Sequence, residues 1–327
     1  MITLRSLAYF LLPLLLVVMK SCVPQEEYTE KEDDVVSVSD KLSKQAQSGR
    51  YVFEDGSLYE GELIMGLPDG FGTIEYASGD LYEGQFRNGA AFGYGTMRYK
   101  SSNELEKYSG SWENNERSGF GTLTLTDKSV MQGHWVNGNL KYGEYRTASG
   151  SVTYGKWRDG VIDEGNLFSE DGDQFSGKFN EDGSYDFGTL ILSNGDVYYG
   201  EFQNGVYQGL GILIDTLGSI YTGNFVEEEK SGLGVLEEID GSYYTGEFLN
   251  GLPDGRGRQS DPSGVTYIGS WRGGLKEGTG VLNFGDGTSY TGQFENGMAV
   301  DGVYDWGDGA TTRSYQDENG EWQDFDE

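Results

Sequence analysis

One phrase returns along nearly the whole chain: in most copies an aromatic residue, a spacer, Gly, a spacer, then Phe or Trp. Its glycine stands at Gly61, Gly84, Gly110, Gly133, Gly155, Gly177, Gly200, Gly223, Gly246, Gly269 and Gly292, at steps of 23, 26, 23, 22, 22, 23, 23, 23, 23 and 23 residues. Eleven units at a near-fixed period specify a solenoid or array and exclude a compact globule. Within a unit, Tyr198-Tyr199-Gly200-Glu201-Phe202 alternates, with Tyr198, Gly200 and Phe202 on one face and Tyr199 and Glu201 on the other. Asn204-Gly205 is a turn signal. Gly209-Leu210-Gly211-Ile212-Leu213 then returns, with Gly209, Gly211 and Leu213 in phase. Its glycines are expected to make room for a ring from the neighbouring strand. A lone hairpin is marginal in water, so the units must stack and bury a ladder of Tyr, Phe and Trp. The expected fold is all-β: an elongated single-sheet solenoid of about eleven stacked β-hairpins, on the order of 100 Å long at ~4.8 Å per strand.

The repeat accounts for the 53 glycines, which follow no Gly-X-Y period. The net charge of −31 argues against nucleic acid, since phosphate binding needs clustered Lys and Arg. It disfavours anionic lipid headgroups for the same reason. With Cys22 as the one cysteine, neither an intramolecular disulfide nor a multi-cysteine metal site can form.

Residues 1–21 read as a signal peptide: Arg5 precedes an apolar run, Leu7–Met19, that is short for a membrane span and suits an h-region. Ser21-Cys22 resembles the end of a bacterial lipoprotein signal, although Met19 and Lys20 depart from the usual lipobox. That resemblance implies lipidation of Cys22 and a membrane-anchored protein of the bacterial cell envelope, the alternative being a plainly secreted chain. Residues 22–48, polar and acidic, read as the lipidated cysteine and a flexible tether. The solenoid is expected over 49–316, with Gly49–Gly56 as a return half without its first half, and 317–327 as an acidic cap or tail. The insertion Lys100–Lys107 is expected to form a loop on one face. The first glycine of the Gly-x-Gly return is replaced by Lys141, Asp163, Asp186 and Val300, and the middle, 131–187, contains the two short units. A side chain at a close-approach site should alter the twist there or splay adjacent hairpins.

The phrase Tyr-x-Gly-x-Phe/Trp, Asn-Gly, Gly-x-Gly-Thr, x-Gly-Asp/Ser resembles the MORN (membrane occupation and recognition nexus) repeat over roughly residues 49–312. The resemblance implies a scaffold that binds another protein, with dimerisation through repeat ends as a further mode. The family's lipid binding does not suit a chain of this charge.

No catalytic constellation emerges. The one histidine, His134, takes the outward place that Glu62 or Glu201 holds in other units. No Ser/His/Asp set, Walker loop or paired-histidine motif accompanies it. Asp171-Gly172-Asp173 and Asp305-Trp306-Gly307-Asp308-Gly309 lack EF-hand spacing and read as turns. The reading is a non-enzymatic protein without cofactor or metal. The competing reading is a carbohydrate- or wall-binding module, which would require Tyr198, Tyr221, Tyr244, Tyr267 and Tyr290 to line up in solvent.

Overall fold

The computed structural model describes residues 47–325, within one unit, Gln45–Glu327. Among the described residues every regular element is a strand, and the strands form one open antiparallel sheet of 25. Each strand pairs with the next in the chain, from Gln47–Val52 against Leu58–Ile64 to Thr311–Gln316 against Trp322–Asp324. Eleven hairpins lie between the lone return strand Gln47–Val52 and the closing pair, one for each sequence unit.

The hairpin tips explain Asn-Gly. Asn204 and Gly205 both have positive φ, 52° and 85°, as do Asn88-Gly89, Asn250-Gly251 and Asn296-Gly297. Two central residues of positive φ define the type I′ turn, whose twist matches that of paired strands. The hairpin Gln174–Phe179/Tyr185–Ile191 is the exception. It turns through a longer loop closed by Asn180 N–H to Ser184 O and Gly183 N–H to Asn180 O.

The register aligns one glycine from each successive strand. Gly49, Gly61, Gly72, Gly84 and Gly95 begin a column of direct partners that continues through the sheet to Gly292 and Gly302. Ser314 ends it, buried, with its hydroxyl donating to Asp324. The tyrosine of each regular hairpin lies over this column. A Cβ built on Gly72 would fall 2.3 Å from the Tyr59 ring, and one on Gly211 2.4 Å from the Tyr198 ring. The ring therefore comes from the glycine's own hairpin, two residues before the first glycine, and not from a neighbouring repeat. Its hydroxyl donates to the carbonyl three residues on: Tyr59 to Glu62 at 2.8 Å, Tyr198 to Glu201 at 2.9 Å, Tyr244 to Glu247 at 3.0 Å.

Rings then link one hairpin to the next edge to face. Tyr198 meets Phe202 of its own unit at 5.1 Å and Phe225 of the next at 5.2 Å, and Tyr221, Tyr244 and Tyr267 repeat the pattern. This zigzag is the core. Trp112, Trp135 and Trp157 add an indole N–H to the carbonyl of Gly95, Gly121 and Gly143.

The first glycine of Gly-x-Gly leaves the strand alternation. Gly209 has φ 70°, and three residues, Gln208–Leu210, oppose Glu201 alone. This bulge turns Gly209 toward the Glu201 side chain, on the face opposite Tyr198, so the in-phase expectation fails there. The residue after the column glycine caps it: Gln85 Oε1 accepts Tyr94 N–H at 2.8 Å and Glu247 Oε1 accepts Arg256 N–H at 3.2 Å. Where Lys141, Asp163, Asp186 or Val300 replaces glycine, the bulge narrows by one residue and the glycine column stays in register. The ladder between these hairpins is unbroken. The insertion is also only partly a loop, since Leu105–Lys107 enter the strand Leu105–Glu113 with a bulge at Glu106.

Candidate interaction surface

The sheet has two unlike faces. On the core face, Tyr198, Tyr221, Tyr244, Tyr267 and Tyr290 are 0%, 1%, 5%, 1% and 0% exposed. Sugar stacking on these five rings is ruled out by their burial. Desolvation pushes the Tyr59, Tyr221, Tyr244 and Tyr267 hydroxyls up to about 12 from 10.0, so they are neutral donors at physiological pH.

On the outer face, two rows of side chains flank the glycine column. The first is the middle residue of Gly-x-Gly and its cross-strand partner: Phe71 and Gln85, Tyr94 and Ser111, Phe120 and His134. Phe71, Tyr94, Phe120, Leu210 and Leu233 are all exposed there. In these hairpins the row thus alternates a large apolar residue on the return strand with a polar one on the outgoing strand. His134 is exposed within it, its ring edge-on to Phe120 at 5.7 Å. The register sets it beside Phe120 and Tyr142. The row changes character at Lys156, Glu164 and Lys178, where Lys156 pairs with Glu164 at 2.9 Å. Beyond it, Phe187, Tyr199, Leu210, Ile212, Leu233 and Val235 line an open groove of about 690 Å³ floored by the column glycines.

The loop edge has its own ladder, whose donors and acceptors were invisible as a ladder in the sequence. A side-chain oxygen in several loops takes a backbone N–H of the next: Ser57 from Ala77, Asp80 from Lys100 and Ser101, Asp173 from Ser193, Asp196 from Thr216. Burial raises the Asp80 carboxyl, but its hydrogen bonds from Ser101, Lys100 and Ser78 outweigh that and hold it below its ordinary value. Asp173 is thus a joint between loops, while Asp305 and Asp308 accept N–H groups two residues on, as turn residues. Among the described residues no group of three or more His, Cys, Asp or Glu is placed to hold a metal. None of their helices is long and apolar enough to cross a membrane. Cys22 and the segments 1–21 and 22–46 lie outside the described residues.

The model of the MORN repeat matches seven of the units, at residues 59–81, 82–104, 108–130, 198–216, 244–266, 267–289 and 290–311. Within the array, 131–197 and 217–243 are unmatched, and the first contains the three narrow bulges at Lys141, Asp163 and Asp186. No curated protein sequence matches significantly. Among solved structures, the chain is similar to the SAS-4 TCP domain of Drosophila melanogaster in complex with a proline-rich motif of Ana2, at 17% identity over 52% of this chain and 87% of that one, with a TM-score of 0.30. It is also similar to virginiamycin B lyase from Staphylococcus aureus, at 10% identity over 87% of this chain and 85% of that one, with a TM-score of 0.14. At such scores nothing about ligand or activity passes from either protein to this one.

Proposed function

This chain carries MORN repeats, and on that footing we propose a non-enzymatic scaffold that binds another protein through the outer face of its extended sheet. The observation that carries this is the apolar row. Phe71, Tyr94 and Phe120 in three successive hairpins, and Leu210 and Leu233 in two more, stay in solvent at one place in a chain whose net charge is −31. Apolar side chains repeated along an exposed face make a surface suited to a partner. Lipidation at Cys22, within the polar N-terminal stretch, would tether this scaffold to the cell envelope without spanning it.

The test is crosslinking of the full chain in detergent-solubilised envelope, read by mass spectrometry, beside a sedimentation assay on peptidoglycan. A near-stoichiometric partner crosslinked to outer-face positions is the expected result. Retention on glycan with no such partner would replace this reading with a wall-binding module. The tether has a separate test. Cys22→Ala should move the chain from the membrane to the soluble fraction, and an unchanged fractionation would sink the anchor.

A further inference from the structure

The groove over the strands from Tyr185–Ile191 to Tyr243–Leu249 is more specific than an apolar face. Its first row runs Phe187, Glu201, Leu210, Asn224, Leu233, Glu247, and its second Thr189, Tyr199, Ile212, Thr222, Val235, Thr245. Leu210 and Leu233 are 61% and 68% exposed. The rows are two residues apart along each strand, about 6.8 Å. An α-helix, ~10–12 Å across, would ride over both rows and leave the floor empty. An extended chain can lie between them.

Period and charge narrow the choice of extended chain. Apolar residues of the first row recur on every second strand, a spacing of ~9.6 Å. Three residues of polyproline II rise about 9.3 Å, so every third residue of such a chain meets an equivalent site. A β-strand repeats its side chains every ~6.8 Å and falls out of step. Between residues 187 and 250 the chain has Asp196, Glu201, Asp215, Glu227, Glu228, Glu229, Glu237, Glu238, Asp240 and Glu247 against one cation, Lys230. Lys230 lies over the Tyr221 ring. Glu201 and Glu247 stand in the row between the apolar sites. The groove is bounded by cations at both ends, Lys178 opposite Phe187 and Arg256 and Arg258 past Thr245.

We propose that this groove binds a polyproline-II segment of another protein, with Pro or an apolar residue at every third position and Lys or Arg between. The proposal rests on the scaffold reading and deepens it. From Phe187 to Thr245 the rows cross five strand spacings, room for about eight residues in that conformation.

The test is selection from a displayed library of random peptides about twelve residues long, on the purified full chain. Winners are then measured as synthetic peptides by fluorescence anisotropy. The expected winners carry Pro at three-residue spacing with Lys or Arg. Leu210→Lys/Leu233→Lys should weaken them about tenfold or more, as for loss of a central apolar anchor. Glu201→Gln/Glu247→Gln, which keeps the bulge cap and removes the charge, should weaken them several-fold and flatten the salt dependence. Matching far-UV circular dichroism would show that the variants fold. Winners without the three-residue period, winners indifferent to Leu210→Lys/Leu233→Lys, or no enrichment at all would each overturn the groove proposal. The scaffold reading would then still be decided by its own crosslinking result.

Discussion

The tyrosine of each regular hairpin does the work of the side chains its glycines lack. Its ring occupies the space over a Gly–Gly pair where two Cβ atoms would otherwise sit, and its hydroxyl closes onto the carbonyl three residues away. Gly211→Ala would place a methyl 2.4 Å from Tyr198 Cε2, and should destabilise by about 1–3 kcal/mol in a denaturant melt. A change within a few tenths would show that the ring moves aside freely. The same tyrosines set an alkaline limit. Burial raises Tyr59, Tyr221, Tyr244 and Tyr267 to about 12 from 10.0. For a group whose folded pKa is raised, the unfolded state loses its proton first. The stabilisation is whole below pH 10 and is lost as pH rises through about 12. The tyrosines of the buried ladder should therefore ionise as a late step of the absorbance titration, together with loss of far-UV circular dichroism, in that window. Ionisation of every tyrosine below it with the sheet intact would contradict the buried ladder. The alternation of Tyr198, Gly200 and Phe202 was legible because strands have period two. The role of Glu247 was not, because a bulge cap depends on a φ that no side-chain pattern reveals.

At the scale of the hairpin, turn and bulge are set by a few positions. Glu227 and Glu228 stand where other tips have Asn-Gly, at φ 49° and 68°, conformations that disfavour a residue with a long side chain. Glu227→Asn/Glu228→Gly should raise stability by about 1 kcal/mol, read as a higher denaturant midpoint with an unchanged slope. No gain would mean that the glutamates make compensating contacts. The bulge offers a comparison within one chain. Wide bulges have Gly70, Gly93, Gly209 or Gly255 beneath Glu62, Gln85, Glu201 or Glu247. Narrow ones leave Lys141, Asp163 and Asp186 as the single bulged residue, next to the ladder pairs His134–Tyr142, Lys156–Glu164 and Lys178–Phe187. The sequence exposed both substitutions and the missing residues. It could not show that they cancel, because side-chain periodicity reports which residue changed and not how many residues oppose one across the ladder.

Across the whole sheet, two of the narrow bulges, at Lys141 and Asp163, coincide with a change of core. The ring zigzag runs from Tyr59 to Trp135 and again from Phe175 to Trp322. Between these blocks Met131 and Thr153 stand where the tyrosines stand elsewhere, and Leu140, Trp157 and Ile162 fill the core with Tyr145. In an array each unit touches only its neighbours, so stability is a sum of unit and interface terms, and cooperativity fails first at the weakest interface. Replacing a buried ring by a threonine removes a large share of the apolar area an interface can bury. Two cooperative blocks are therefore expected, one on each side of residues 139–168. Native-state hydrogen exchange should find the strands Asn139–Arg146, Val152–Arg158 and Val161–Phe168 opening at lower free energy than Val197–Gln203 or Ile220–Val226. Denaturant unfolding should show two transitions, with the strand Tyr185–Ile191 following the C-terminal block because Leu190 and Phe202 lie on its side of the break. A single transition with uniform protection would mean that the glycine column and its unbroken backbone ladder couple the hairpins strongly enough without the rings.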